Sequence, residues 1–573
     1  MWYNGSIEKL FRRKTFTVKV RRAAFCRKAE TMEKILNATE LWKDFDPAAE
    51  PLDVNVITQT ERDGVTVKSF YFTGREVSDG KTRVYAKVCR PADKSPRRAL
   101  LLVEDYTRPI DEQELAYWAK KDFVVMAIDF AGRCPKGCFT LYPFSLDYCN
   151  ADKAKSYFDV GETAKESKIY EYAVGCMRAV TCLLTQEKAK SVSLITVKKG
   201  ARVGTVVLGA DSRINYGVVV FNSLYREYPQ HGGTKDWTDE SLPERLAYEE
   251  KRQKWIAGIA PQSYAIKIKC PVYIIVSANS LYDDVTNANR MFCRINSDSR
   301  LLLLPAVMDC LPEEYVLGIV RWVKGSAAED SAEVRQFSDD KGDNYVVVSG
   351  KFKQTQVSLW YAREGDSCAR NWVSAPLKKT EEGLVARLDC YGEQTRIAAF
   401  ATVKGSIAVS SMLEEFTVNA PDRIDVRTRS LYEGREQGFL IDFGGSNWHS
   451  AQGGVQYVKG YLDIRGAKGK NIATFAICDP KVLYEKGLTV SFDVSCKARQ
   501  QLRVYALSDV GSKNTAYVAQ SQLVGGGRWQ RITLEHDDFH MTKDGHQMPE
   551  DEIVQLLAFQ AEEEFMLNNV FLV

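Results

Sequence analysis

The spacing of apolar residues changes character along the chain, and each change predicts a different kind of element. Over residues 31–43, Met32, Ile35, Leu36, Leu41 and Trp42 recur at helical spacing until Asp46-Pro47, which predicts a short amphipathic helix. Alternation over residues 65–72 and 82–88, around the turn Ser78-Asp79-Gly80, predicts an antiparallel hairpin. Beyond it the apolar runs become short and continuous, at residues 99–104 and 123–130 on either side of a helical stretch, 111–120. Strands buried on both faces read this way and imply a parallel sheet with crossover helices. A longer helix is expected over 165–187, further strands over 191–197, 216–221, 271–277 and 300–304, and a closing helix over 313–323. The pattern is α/β layering across roughly 270 residues.

The small, polar stretch at residues 325–330 ends that pattern, and helical periods nearly vanish after it. Alternating runs at 345–349, 356–361, 384–388, 395–402 and 407–411 are spaced as in a small β-sandwich. A second break at Asn419-Ala420-Pro421 opens a last segment with strands expected at 439–443, 461–464, 474–477, 488–494, 502–507 and 529–534. No internal repeat at a fixed period is visible. The organisation expected is a basic leader and helix over 1–50, an α/β domain over 51–325, a small β-sandwich over 333–420 and a second β-module over 421–573.

Composition sharpens this in three places. At about 100–200 residues per domain, 573 residues fit several domains, and 45% hydrophobic with 27% charged residues excludes a mostly disordered or fibrous chain. Lys+Arg 78 against Asp+Glu 75, without a concentrated basic face, argues against nucleic acid as the main partner. No apolar run approaches the roughly 18 residues of a membrane span, and residues 1–30, rich in Lys and Arg, lack the apolar stretch and cleavage site of a secretory signal. The 14 cysteines are scattered, so reduced thiols and a cytoplasmic location are expected. Cys134 and Cys138 form half of a metal site with no second pair, so no metal and no cofactor are expected.

Histidine is the most informative residue type. The five are His231, His449, His536, His540 and His546, so catalysis by imidazole in the first half of the chain has one candidate.

Residues 51–325 resemble an α/β-hydrolase domain of the bacterial acetyl xylan esterase type. The resemblance rests on PLDV, YFTGREVSDGKTRVYAKVCRP, RALLLVED, DFVVMAIDFAGR, FTLYPFSLDYCNAD, EYAVGCMRAVTCLL, SVSLITV, KCPVYIIVSAN and LPEEYVLGIVRWV, in that order. It implies a serine on a tight G-x-S-x-G strand-to-helix turn, a histidine after the last strand, an acid that orients it, and backbone N–H groups that hold an oxyanion. No G-x-S-x-G occurs in the chain; Thr196-Val197-Lys198-Lys199-Gly200 stands where it is expected, with Lys198 at the nucleophile position. The loop expected to supply histidine carries Asp309 or Met308 in its place, and Asp283 or Ser280 occupies the acid position. Glu104 and Asp105 replace the usual oxyanion-loop turn, where carboxylates would repel developing negative charge. His231, in a Gly-rich run, reads as a surface loop residue or as a substitute base. An ion pair of Lys198 with Asp309 across the old pocket is a further expectation.

Residues 333–420 resemble the small β-sandwich appended to some esterases of this group, with Trp360, Tyr361 and Trp372 read as core or interdomain contacts. Residues 421–573 resemble a jelly-roll of the carbohydrate-binding kind, through FLIDFGGSNWHS, GRWQRITLEHDDFHMTKDG and FMLNNVFLV. Such modules stack sugars on aromatic faces, which makes Trp448, His449, Tyr457 and Tyr505 candidates. His536 and His540 stand in an acidic cluster that reads as a solvated loop or a cation site. The expectation is thus a catalytically impaired carbohydrate-esterase-like protein that binds a polysaccharide or oligosaccharide, acetylated xylan among them, or acts as a scaffold. The alternative is an active carbohydrate acetyl esterase with an unorthodox site around Lys198, Asp283 and His231.

Overall fold

The computed structural model describes residues 35–93, 95–132, 138–150, 156–229, 242–279, 284–305, 311–340, 342–352, 356–365, 369–390, 395–418, 429–434, 440–442, 455–482, 487–509 and 515–573. The protein is mostly β, built from several sheets, and divides into two compact units: Met1–Asn215 with Leu224–Cys270, and Tyr216–Ser223 with Pro271–Val573.

In the first unit, β1 (Asn55–Arg62), β2 (Val65–Val77) and β3 (Gly80–Pro91) form antiparallel pairs. Next come β4 (Arg98–Val103), helix α1 (Glu112–Ala119), β5 (Val124–Ile128), α2 (Lys168–Thr185), β6 (Ser191–Val197), α3 (Ala201–Ala210) and α4 (Leu242–Gly258). The strand order β1-β2-β3-β5-β4-β6 makes a mixed sheet, antiparallel up to the β3–β5 pair and parallel from β5 through β4 to β6. The apolar runs read as strands buried on both faces are so buried: β5 and the last five residues of β4 are all covered. The helices between them start where the sequence supplies caps. Asp111 accepts the N–H groups of Gln113 and Glu114, and Ser167 accepts that of Tyr170 at 3.1 Å. On α2, the buried Arg178 guanidinium donates to the carbonyls of Thr73, Pro47, Glu50 and Pro51 at 2.7–3.0 Å, tying the segment before β1 to the helix.

The helix expected over 31–43 is absent from the described part of that range, which holds only a 3₁₀ turn, Glu40–Trp42. The Asn37 side chain takes the N–H groups of Thr39 and Glu40, an alternative that competes with helix propagation. Trp42 then stacks on Tyr170 at 4.5 Å and donates to the Tyr264 hydroxyl at 2.9 Å, so tertiary anchoring fixes the segment.

The second unit takes β7 (Ile214–Val220) from Tyr216 onward, β8 (Val272–Ser277), α5 (Val285–Phe292), β9 (Arg300–Leu304) and α6 (Glu313–Val323). The three strands run parallel, and Trp322 of α6 donates to the Gly217 carbonyl at 3.1 Å. Two small sheets follow. One orders β10 (Ser331–Ser338), β11 (Asn344–Lys351), β15 (Leu384–Arg387) and β14 (Lys378–Lys379). The other orders β13 (Val373–Ala375), β12 (Gln356–Arg363), β16 (Thr395–Lys404) and β17 (Val409–Ser410), with β18 (Glu414–Val418) also on β16. Val346, Val348, Leu359, Tyr361, Ile397 and Ala399 fill one core from both sheets.

The last sheet contains β19 (Ser430–Tyr432), β20 (Leu440–Asp442), β21 (Gln456–Lys459), β22 (Arg465–Thr474), β23 (Val490–Cys496), β24 (Gln500–Asp509), β25 (Thr515–Leu523), β26 (Gln530–Leu534), β27 (His540–Met541) and β28 (Leu556–Leu572). The pairings are antiparallel, and β28 pairs with β19, β22, β23 and β24. Residues 461–464, expected as a strand, form a 3₁₀ turn in which Leu462 and Asp463 have φ of 57° and 59°. The Trp529 indole donates to Tyr461 O at 3.1 Å and holds that turn.

Candidate functional site

The parallel strands of the first unit end in loops at their carboxyl edge, and β6 ends in a tight turn. Its strand residues from Val192 on are buried, and the chain then reverses through a 3₁₀ turn, Lys198–Gly200, into α3. Lys198 adopts φ 51°, a left-handed conformation that costs a non-glycine residue about 1–2 kcal/mol. Two glycines make the turn possible. A Cβ on Gly200 would lie 2.1 Å from the Glu104 carbonyl oxygen and 2.3 Å from that of Val103, and one on Gly204 would lie 2.0 Å from Thr196 Cγ2. The turn is therefore pressed against the end of β4 and α3 against β6.

Charge around the turn is largely matched. Lys199 Nζ lies 3.4 Å from Asp105 Oδ2, and Asp105 Oδ1 accepts the Thr107 hydroxyl at 2.7 Å and the Thr107 N–H at 3.0 Å. Burial raises the Asp105 pKa, but these hydrogen bonds and Lys199 outweigh it, and the net shift is downward. The Asp105 carboxylate is thus held ionised and turned onto its own loop. Lys168 is 8% exposed as a residue and its ammonium lies 5.9 Å from the Tyr106 ring; burial lowers its pKa, and Arg202 adds to that. The Arg202 guanidinium packs on Tyr157 at 4.8 Å. Behind the same loop, Glu114 is pushed up to about 8 by burial and by Glu104, while its Oε1 accepts the Trp118 indole N–H at 2.6 Å.

The turn carries two lysine amines, Lys198 and Lys199, and no hydroxyl side chain. Among the described residues of the first unit there is no histidine. Cys134, His231, Ser280, Asp283, Met308, Asp309, Trp448 and His449 lie outside the described residues, so of the expected site residues the structure places Lys198, Glu104, Asp105, Tyr457 and Tyr505.

In the last sheet, Tyr457 packs against the core and lies 6.3 Å from Tyr432, ring to ring, whereas Tyr505 is half-buried with its hydroxyl 3.2 Å from Gln560 Oε1. His536 Nδ1 accepts the Leu488 N–H and its Nε2 meets the Met548 carbonyl at 2.7 Å, so both ring nitrogens are used by backbone. His540 is exposed. Among the described residues no group of three or more His, Cys, Asp and Glu is placed to hold a metal ion. Trp372 is buried, with its indole donating to the Ala278 carbonyl at 3.3 Å and its ring edge-on to Phe400 at 4.8 Å.

Sequence reasoning missed Thr107, Glu114 and the role of Gly204. The Asp105-x-Thr107 spacing of a side-chain-closed turn and the Gly200-x-x-x-Gly204 spacing were available signals; Glu114 carries none, because its burial comes from the fold.

No protein-family model matches the chain, and no curated protein matches it. Among solved structures, the chain is similar to an acetyl xylan esterase from Paenibacillus sp. R4, at 14% identity and a TM-score of 0.37, covering 51% of this chain and 92% of that one. Acetyl xylan esterase 1 from Thermoanaerobacterium sp. JW/SL YS485 gives 15% identity, a TM-score of 0.35 and coverage of 47% and 87%. A cold-adapted esterase from an Arctic intertidal metagenomic library gives 15%, 0.28, and 44% and 88%.

Proposed function

We propose that the chain is a catalytically impaired carbohydrate-esterase-like protein: an α/β-hydrolase scaffold, a small β-sandwich and a jelly-roll module, acting through glycan binding or as a scaffold. The observation that carries the reading is Lys198 in the left-handed conformation on the strand-to-helix turn after β6. A strained turn of this kind presents the side chain that an α/β-hydrolase uses as nucleophile, and here that position holds a half-buried lysine.

The chemistry of that amine supports impairment. If the deprotonated Lys198 nitrogen attacks an ester carbonyl, the alcohol leaves with a proton and an amide remains. Water does not cleave an amide without a second activated nucleophile, so the reaction stops after one event. Incubation with an activated acetyl ester is expected to give no turnover above a denatured control, and a serine-reactive phosphonate is expected to leave no adduct. Retention on a xylan or mixed-glycan array is expected from the jelly-roll. Turnover would replace this reading by an active acetyl esterase around Lys198, Asp283 and His231. Silence on both the ester and the array would leave a purely structural protein.

A further inference from the structure

Two cations of the first unit stand where the fold already concentrates positive charge. Lys168 opens α2, and Arg202 is the second residue of α3. The two helices pack on each other. α3 starts at the carboxyl end of β6, and the Lys168 ammonium reaches the loop after β4, 5.9 Å from the Tyr106 ring. A helix amino terminus carries about half a positive charge and favours an acid in its first turn. α3 has no acid there, and Glu171, the acid of the first turn of α2, is buried and accepts the Thr82 hydroxyl at 2.7 Å.

Lys168 is the informative member. The residue is 8% exposed, yet its ammonium makes no hydrogen bond and no ion pair among the described residues. Arg202 is half-buried, packs its guanidinium on the Tyr157 ring at 4.8 Å and likewise has no acceptor among them. No nitrogen of either side chain is closed off from solvent, so a ligand can reach both. Burial and Arg202 act against the Lys168 charge, and no carboxylate is among the groups that offset them. Asp105, in the loop that carries Tyr106, is taken by Lys199 and Thr107. Like charges held close without a partner oppose each other, and a guanidinium cannot relieve this by losing a proton.

We propose that Lys168 and Arg202 together bind the carboxylate of a sugar acid, a uronate unit of a polysaccharide, with one oxygen on each cation. The proposal rests on the function proposed above, in which the chain has lost ester hydrolysis and acts through glycan binding: that reading makes the ligand a sugar, and the two cations make it an acidic one. A carboxylate brings the acceptor oxygens and the negative charge that both side chains lack. It would sit outside the carboxyl ends of parallel strands, where open α/β sheets take their ligands. A neutral acetylated sugar leaves both cations unmatched, so the site selects acidic chains over acetylated ones.

The test is calorimetric titration of the intact protein with sodium glucuronate, with glucose as its uncharged counterpart and inorganic phosphate as competitor. Saturable glucuronate binding, at least tenfold tighter than glucose and not displaced by equimolar phosphate, is expected. Lys168→Met and Arg202→Met should each weaken it at least tenfold. Absence of saturable glucuronate binding, equal affinity for glucose, displacement by phosphate, or unchanged binding in both variants would each overturn the proposal. The wild-type titrations decide it even if a variant fails to fold. Turnover of the activated acetyl ester would instead overturn the reading on which the proposal rests, whereas silence toward glucuronate without ester turnover removes the uronate site alone.

Discussion

Burial acts on two ionisable side chains of this protein in opposite ways. Glu114, on α1 of the first unit, is 5% exposed and escapes its charge by holding a proton, with a pKa pushed up to about 8. Arg370, in the second unit, is equally covered and keeps its charge, so it depends on Glu415, and its Nε and Nη1 have no acceptor among the described residues. A carboxyl group can be stored neutral inside a protein; a guanidinium has to be matched. The first environment is relieved by a proton, the second by a neighbouring carboxylate.

The comparison breaks first at the matched charge. Glu415→Ala leaves the Arg370 cation buried without its carboxylate and should destabilise the protein by about 3 kcal/mol, the lower end for such pairs because Glu415 is 31% exposed. The double variant Arg370→Met/Glu415→Ala should lose less than Glu415→Ala alone, measured by denaturant unfolding. Additive losses would contradict the pairing. Next in size is Gly200→Ala, whose methyl group meets the Glu104 and Val103 carbonyl oxygens at under 2.5 Å; a loss of about 2 kcal/mol is expected. A loss below about 0.5 kcal/mol would show that the turn after β6 is not pressed against β4.

Glu114 predicts a pH dependence. An unfolded glutamate ionises near 4.5, whereas the folded one holds its proton until about 8. Between those values the folded state carries the extra proton, so the stabilising contribution is complete below 4.5 and is lost as pH rises through 8. The slope is at most about 1.4 kcal/mol per pH unit. Glu114→Gln keeps an acceptor for the Trp118 indole and should flatten that part of the stability–pH curve. An unchanged curve would mean that Glu114 is already ionised in the folded protein.

Elements whose apolar residues run continuously were legible in the sequence. The expected strands over 191–197 and 300–304 and the helix over 313–323 match β6, β9 and α6 to the residue. In the last sheet β28 was missed: Glu562-Glu563-Glu564 interrupts its apolar pattern, and those exposed carboxylates lie along one strand, with Lys468 and Lys470 paired to Glu564 and Glu563. The site divides in the same way. Lys198 could be located because a strand-to-helix turn is a local feature of the chain. Arg370 could not, since its significance depends on Glu415, 45 positions away, which the fold brings to it.

The smallest effect bears most directly on the turn that presents Lys198. Its φ of 51° is a backbone property, so it can be separated from the amine by comparing two variants that both lack the amine. Lys198→Ala keeps a Cβ in the left-handed region, and Lys198→Gly removes it. Glycine relieves about 1–2 kcal/mol of left-handed strain but adds roughly 0.5–1 kcal/mol of chain entropy to the unfolded state. Lys198→Gly should therefore be more stable than Lys198→Ala by about 0.5–1 kcal/mol in thermal or denaturant unfolding. An alanine variant as stable as the glycine variant would mean that residue 198 is not left-handed, and the likeness of this turn to a nucleophile-bearing one would fall with it. A clear glycine advantage would instead show a chain that carries a strained turn although the side chain there is a lysine.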